Sequence, residues 1–273
     1  MIAPRVVIVG HVEWVTHALG TLPARGHIAD LTDPLGEPAG GGGVAAAAAA
    51  RLGARVRLLT ALGNDERARR AEAELTRRGI EIAAAQRDVP QTPALTIAHR
   101  DGERTIMVVG PRLQALAADR LHDAALGDAV AAYYTGEDPE LLAHVRQSVA
   151  TLVVSGRRIT DLVAAGVRAD VIVASRNDPA EDPSGIPAAL APSWTILTDG
   201  AEGGVIVTGA GARLPYPAVP PPGPVVDTYG CGDSFAAGVT VGLARGLDIG
   251  EAVAVGALAG AACATWRGGL GPS

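Results

Sequence analysis

The sequence predicts an α/β fold, a mostly parallel central sheet covered by helices on both faces, with a small β lid added to it. Three observations carry this. Short β-branched runs alternate with helical segments over most of the 273 residues, the rhythm of a parallel sheet whose crossovers lie on its faces. Two extended segments, 11–38 and 94–109, interrupt that rhythm and supply the lid. The chain is 48% hydrophobic and only 19% charged, enough apolar surface to build a large core rather than remain disordered. The length is read as one domain over residues 1–273.

Each element has a local reason. Arg5–Val9 (RVVIV) is a β-branched run that stops at Gly10, a buried strand. Val44–Leu52 is Ala-rich and stops at Gly53, which predicts a helix with a glycine end. Arg55–Ala61 is a strand, and Asp65–Arg78 is a mixed-charge helix closed by Gly79. Ala94–His99 and Arg104–Val109 flank Asp101-Gly102, a hairpin signal. Ala129–Tyr134, Thr151–Val154, Asp170–Ala174, Thr195–Thr198 and Gly204–Val207 are further strands; Pro139–Ala150 and Asp233–Arg245 are helices. Pro220-Pro221-Pro222 stiffens the approach to the last of these.

Composition excludes several functions. The net charge of −6 opposes a nucleic-acid surface. Val253–Trp266 is too short and too rich in Gly and Ala to span a bilayer. No secretory leader opens the chain, and two cysteines, Cys231 and Cys263, make no disulfide framework. The expectation is therefore a cytoplasmic protein with neither nucleic-acid nor membrane partners. All 23 basic residues are Arg. Without Lys there is no Walker A loop and no Schiff-base chemistry. No G-x-G-x-x-G follows the first strand, which opposes dinucleotide binding. His11, His17 and His27 lack zinc-ligand spacing with either cysteine.

The chemistry concentrates in Val225–Phe235 (VVDTYGCGDSF). Gly230 and Gly232, flanking Cys231, let backbone N–H groups converge at a helix N-terminus, where they suit a phosphoryl group or another oxyanion. Asp233, in the first turn, is placed to take a proton from an incoming hydroxyl. A glycine turn with Asp233 as helix cap is the alternative.

Asp-Thr-Tyr-Gly-Cys-Gly-Asp-Ser-Phe closely resembles the C-terminal signature of the ribokinase-like (PfkB-type) carbohydrate kinases, D-T-[TVA]-G-A-G-D-[ST]-F, with Tyr229 and Cys231 as departures. Gly40-Gly41-Gly42-Gly43-Val44 followed by Arg51-Leu52-Gly53 resembles the family's N-terminal signature, and Thr60–Asp65 its next stretch. Arg104-Thr105 matches its lid strand. The resemblance runs from Val6 to Ser273 and implies a ribokinase-like three-layer α/β/α sandwich. It further implies ATP and Mg²⁺ as cofactors, a small sugar-like substrate, and a homodimer through the lid.

The resemblance also assigns residues. Asp233 becomes the base and Gly230–Gly232 the anion hole. Thr198, Asp199, Gly200 and Gly203, with Asp227 and Thr228, would meet the nucleotide; a plain hairpin turn at 198–203 is the alternative. Asp178 stands where the family has the Glu of Asn-x-x-Glu, which orders Mg²⁺ through water; Ser175 replaces the Asn. Asp227, Arg267, Gly269 and Ser273 match a monovalent-cation loop suited to K⁺. On the substrate side, Gly40, Gly41 and Arg104 carry over. The family's sugar-binding Asp falls on Val15 and its Asn on Val44, so Glu13 and Glu137 are the candidate replacements. Trp14 could stack on a base, which would favour a nucleoside kinase. Val15 and Val44 would also suit a nucleotide sensor without transfer.

Overall fold

The computed structural model describes residues 3–99 and 104–272. The first strand, β1 (Arg5–Val9), lies third from one edge of a nine-stranded sheet. Next come β2 (Glu13–Leu19) and β3 (Thr32–Ala39), then α1 (Gly40–Arg51), β4 (Arg55–Leu62), α2 (Glu66–Arg77) and β5 (Glu81–Gln86). The chain continues through β6 (Pro93–Ala98), β7 (Arg104–Val108), α3 (His122–Leu126), β8 (Ala131–Tyr134), α4 (Pro139–Ser148), β9 (Thr151–Ser155) and α5 (Ile159–Ala165). It closes with β10 (Val171–Ser175), β11 (Trp194–Thr198), β12 (Gly204–Thr208), β13 (Arg213–Tyr216), α6 (Cys231–Ala244) and α7 (Ile249–Cys263).

The large sheet has the order β13-β12-β11-β10-β9-β8-β1-β4-β5. Seven strands, from β11 to β5, run parallel, and β12 and β13 add an antiparallel edge. The period-two alternation of β1 divides the core. Val6 and Ile8 pack with α1, α2, α6 and α7, whereas Val7 and Val9 pack with α4 and α5 on the opposite face. This is the expected three-layer arrangement. A second sheet, β3-β2-β6-β7, unites the two extended segments as the lid. Its strands β2 and β6 are parallel neighbours, because each leaves the core sheet and returns to it separately. The Asp101-Gly102 turn lies outside the described residues.

Helices α3, α5 and α7 and strands β5 and β13 were not anticipated. Helix α7 is apolar and glycine-rich all round, so it carries no amphipathic stripe. Its signal was the capping box formed by Asp248 and Glu251. Close crossing on α6 explains its glycines: a Cβ on Gly238 would lie 2.7 Å from Gly256 Cα. Among the described residues, no helix is long and apolar enough to cross a membrane.

Candidate active site

The site lies where the parallel strands end. Helix α6 starts at Cys231, two residues earlier than expected, with Gly230 as its N-cap at φ 77°. A residue with a side chain is strained there, and a Cβ would meet Val44 Cγ1 at 2.8 Å. The first-turn amides have no acceptor within the helix. A Cβ on Gly232 meets no protein atom within 4 Å, so the loop is open on that side. Asp233 does not cap the helix, because α6 has no side-chain cap. The cap alternative is thereby removed.

The Tyr133 hydroxyl, at the end of β8, donates to Asp233 Oδ1 at 3.3 Å. Gly41 backs onto the same atom: a Cβ there would lie 3.3 Å from it and 3.1 Å from Thr135 Oγ1. Burial pushes the Asp233 carboxyl up to about 7, and the nearby Glu181 adds to this; Tyr133, Arg157 and Arg104 oppose it. A carboxylate poised near neutrality suits a general base. Removing the tyrosine donor destabilises the ionised form. Tyr133→Phe is therefore expected to move the acid limb of kcat/KM to higher pH by about one unit, the scale of a hydrogen bond to a charged group. An unmoved limb in a pH–rate profile would contradict this.

Two anchors hold the anion loop. From the lid, Arg104 donates to Thr228 Oγ1. Behind the loop, Asp227 accepts from Tyr229 N at 2.9 Å and Gly268 N at 3.1 Å. Gly269 N donates to Glu37 Oε1 at 2.6 Å, and Arg267 donates to His17 O at 2.8 Å and to Asp33. The structure thus joins Asp227 to the Arg267–Gly269 segment, as the spacing suggested; Ser273 lies outside the described residues.

Thr198–Gly203 is the hairpin between β11 and β12, at the same edge of the sheet. Its side chains already have partners. The Thr198 hydroxyl donates to Ala174 O at 3.3 Å, and Asp199 accepts from Arg176 at 2.9 Å. Gly200 and Gly203 sit at φ 55° and 86°, and the N–H groups of Asp199, Glu202 and Gly203 are bonded within the turn. Asp178 pairs with Arg157 and caps the short turn Pro179–Glu181. The carboxylate whose charge acts on Asp233 is Glu181, which accepts from Ser175 N at 2.7 Å and pairs with Arg157 at 3.1 Å. Sequence reading missed Glu181 because its approach depends on the turn at Pro179.

On the substrate side, Glu13 is buried and bonded to Arg112 Nε at 2.9 Å. Burial raises its carboxyl, Arg112 opposes this, and Glu137 adds to it. Glu137 pairs with Arg158 at 3.0 Å. The structure therefore gathers both carboxylates, each with an arginine that the sequence did not reveal. His11 is pushed down to about 3 by burial and by Arg112 and Arg158, so it is neutral. Its Nε2 accepts from Gly41 N at 3.4 Å, while Gly40 N donates to the Tyr229 hydroxyl at 3.2 Å.

Val15 and Val44 are fully buried with Ala39, Ala94 and Tyr229, so apolar packing fills the positions of the family's polar ligands. Trp14 is corrected as a base-stacking candidate. It stacks under Arg70, with the guanidinium 4.5 Å from the ring, and lines a cavity with α2 that excludes Asp233.

Comparison with known proteins agrees with this geometry. Residues 5–272 match the pfkB family carbohydrate kinase model. The acarbose 7(IV)-phosphotransferase of Actinoplanes is 42% identical over 71 residues, 26% of this chain. That match spans only 24% of the relative's length. Arabidopsis thaliana ribokinase, solved with ribose and ATP, has a TM-score of 0.74 at 19% identity, covering 98% of this chain and 94% of its own. A Burkholderia thailandensis nucleoside kinase solved with inosine has 0.76 at 19%, covering 98% and 93%. Escherichia coli phosphofructokinase-2 has 0.76 at 17%, covering 96% and 93%. At these identities the structures show a common fold. With the signature glycines and Asp233 placed as described and the family match running from residue 5 to residue 272, the chain belongs to the pfkB family of carbohydrate kinases.

Proposed function

We propose that this chain transfers the γ-phosphoryl group of ATP to a hydroxyl of a small sugar-like molecule. The observation that carries this is a part-buried carboxylate, Asp233, beside the glycine loop Gly230–Gly232 at a helix N-terminus, open to solvent at Gly232. In this reading Asp233 accepts the hydroxyl proton, the loop amides hold the transferring group, and Arg104 on the lid adds positive charge and excludes water. The Thr198–Gly203 hairpin, with Asp227 and Thr228, meets the nucleotide. Mg²⁺ fits the donor set, since it keeps water and phosphate ligands and needs one or two carboxylates, supplied here by Glu181 and Asp178. When bound, it neutralises phosphate charge. An ATP-consumption screen of sugars and nucleosides tests the proposal. Turnover of one sugar supports it; bound ATP with no turnover on any compound favours the sensor. The position of Trp14, under Arg70 and against α2, supports the sugar over the nucleoside alternative.

For the substrate, Glu13 and Glu137 are the proposed hydroxyl acceptors, each oriented by its arginine. Glu13→Gln and Glu137→Gln should each raise KM about tenfold, with kcat within a few-fold, because a hydrogen bond to a charged group is lost. Unchanged KM in both variants would remove them from the substrate pocket.

A monovalent cation between Asp227 and the Arg267–Gly269 segment completes the proposal, as does pairing of two subunits through the lid. K⁺ is expected to support faster turnover than Na⁺ at matched ionic strength, and equal rates would remove the cation.

A further inference from the structure

The chain has two cysteines, and the fold brings both to the anion loop. Cys231 is the first residue of α6, between the two loop glycines, and is half-exposed. Cys263 is the last residue of α7 and is fully buried. The close crossing of α6 and α7 sets them opposite each other. A Cβ on Gly260, one turn before Cys263, would lie 3.2 Å from the Cys231 carbonyl oxygen. The Cys263 thiol donates to Tyr229 O at 3.3 Å, two residues before Cys231. The neighbouring Cys263 thiol and burial raise Cys231, and the same neighbour lowers Cys263. Beside them, the buried Ser234 hydroxyl has no hydrogen-bond partner among the described residues. The proposed transfer uses neither sulfur.

We propose that Cys231 and Cys263 are an oxidative modification site: a peroxide joins them as a disulfide, and the bond turns the anion loop off.

The chemistry balances in two steps. The Cys231 sulfur, the one solvent reaches, attacks a peroxide oxygen. An S–O bond forms, the O–O bond breaks, and the departing hydroxide takes the thiol proton to leave as water. The Cys263 sulfur, as thiolate, then attacks the Cys231 sulfur. The S–S bond forms, the S–O bond breaks, and hydroxide leaves with the Cys263 proton as a second water. Two thiols lose two electrons and one peroxide gains them. Burial and the neighbouring thiol raise Cys231, which slows the first step.

Oxidation changes the loop in two ways. The sulfurs must close to about 2.05 Å, which drags the Cys231 amide toward α7. The Cys263 proton is also consumed, so Tyr229 O loses its donor. A displacement of about 1 Å in such a loop is expected to lower turnover about 10²-fold. This loss rests on the phosphoryl-transfer reading, whereas formation of the disulfide does not.

The test treats the native protein with hydrogen peroxide, then unfolds it in an alkylating reagent and measures intact mass alongside turnover. The expected result is no alkyl group added and turnover about 10²-fold lower, with both reversed by dithiothreitol. Cys263→Ser, which keeps a donor for Tyr229 O, is expected to form no disulfide and to retain turnover after the same treatment. Two alkyl groups on the peroxide-treated native protein would overturn the proposal. So would a disulfide with unchanged turnover, or an equal loss in Cys263→Ser, which would show that Cys231 oxidation alone suffices. If the untreated protein turns over no substrate, the kinase reading fails while the mass still reports on the disulfide.

Discussion

Asp233→Asn is expected to lower turnover by about 10²–10⁴-fold, the usual cost of a lost general base, while ATP affinity stays unchanged. The amide keeps the shape of the carboxylate and its contact with the Tyr133 hydroxyl, but it cannot take a proton. ATP affinity persists because the Gly230–Gly232 amides and the Thr198–Gly203 hairpin are untouched. The helix does not suffer, since Asp233 caps nothing. Stability provides a second readout with a defined sign. The folded-state pKa of Asp233 lies near 7, above its ordinary value. Between the ordinary and the raised value, the folded protein binds the proton that the unfolded chain has released. This group therefore makes the wild type less stable as pH rises through that window. Asparagine has no such proton, so the variant should melt higher than wild type at pH 8 and show a smaller difference at pH 4. Wild-type turnover in the variant would end the catalytic assignment. Lost turnover without the pH-dependent melting difference would leave the base but contradict its raised pKa.

Gly230→Ala is expected to cost both stability and activity. An alanine at φ 77° carries a left-handed penalty of about 1–2 kcal/mol. Its methyl would also meet Val44 Cγ1 at 2.8 Å and Gly269 Cα at 3.2 Å, overpacking worth typically about 1–3 kcal/mol. Val44 is fully buried and Gly269 is tied to Glu37, so neither yields easily. The loop moves instead, and turnover falls about 10²-fold through misplaced amides. Gly232→Ala is the contrast: a Cβ there meets no protein atom, so the fold should tolerate it, and any loss should appear in phosphate binding. Equal melting temperatures for Gly230→Ala and wild type, by calorimetry, would contradict the packing argument.

The core strands were legible because β-branched runs such as Arg5–Val9 and Thr151–Val154 have few other places to go. Beyond the first residue of each, Arg5 and Thr151, they have no polar side chain to expose, hence burial on both faces. The helix at Glu66–Arg77 was legible from its Asp65 cap and charge pattern. By contrast, α7 escaped notice because its solvent-facing side, with Ala254 and Leu258, is apolar too, so no periodic stripe shows. Strand β13 (RLPY) escaped because it is an edge strand whose proline needs no partner.

The candidate site divides along the same line. Asp233 and the loop glycines were readable because a glycine-spaced turn at a helix start is local, set within a few residues of chain. The same holds for Asp227, whose bond to Tyr229 N is two residues long. The partners that set the chemistry are distant in the chain. Arg112 reaches Glu13 across 99 residues, Tyr133 reaches Asp233 across 100, and Arg104 reaches Thr228 across 124. The side taken by Trp14 was not legible, because a lone residue on a lid strand does not declare which face it uses. The sequence by itself determined the parallel sheet, the existence of a lid and the anion loop with its aspartate, since each follows from residue type and short-range spacing. Only the tertiary structure decided that Asp233 is held near neutral pH, that both substrate-side carboxylates carry arginines and that the two cysteines meet. Burial and long-range approach produce all three, and neither is a property of any short stretch of chain.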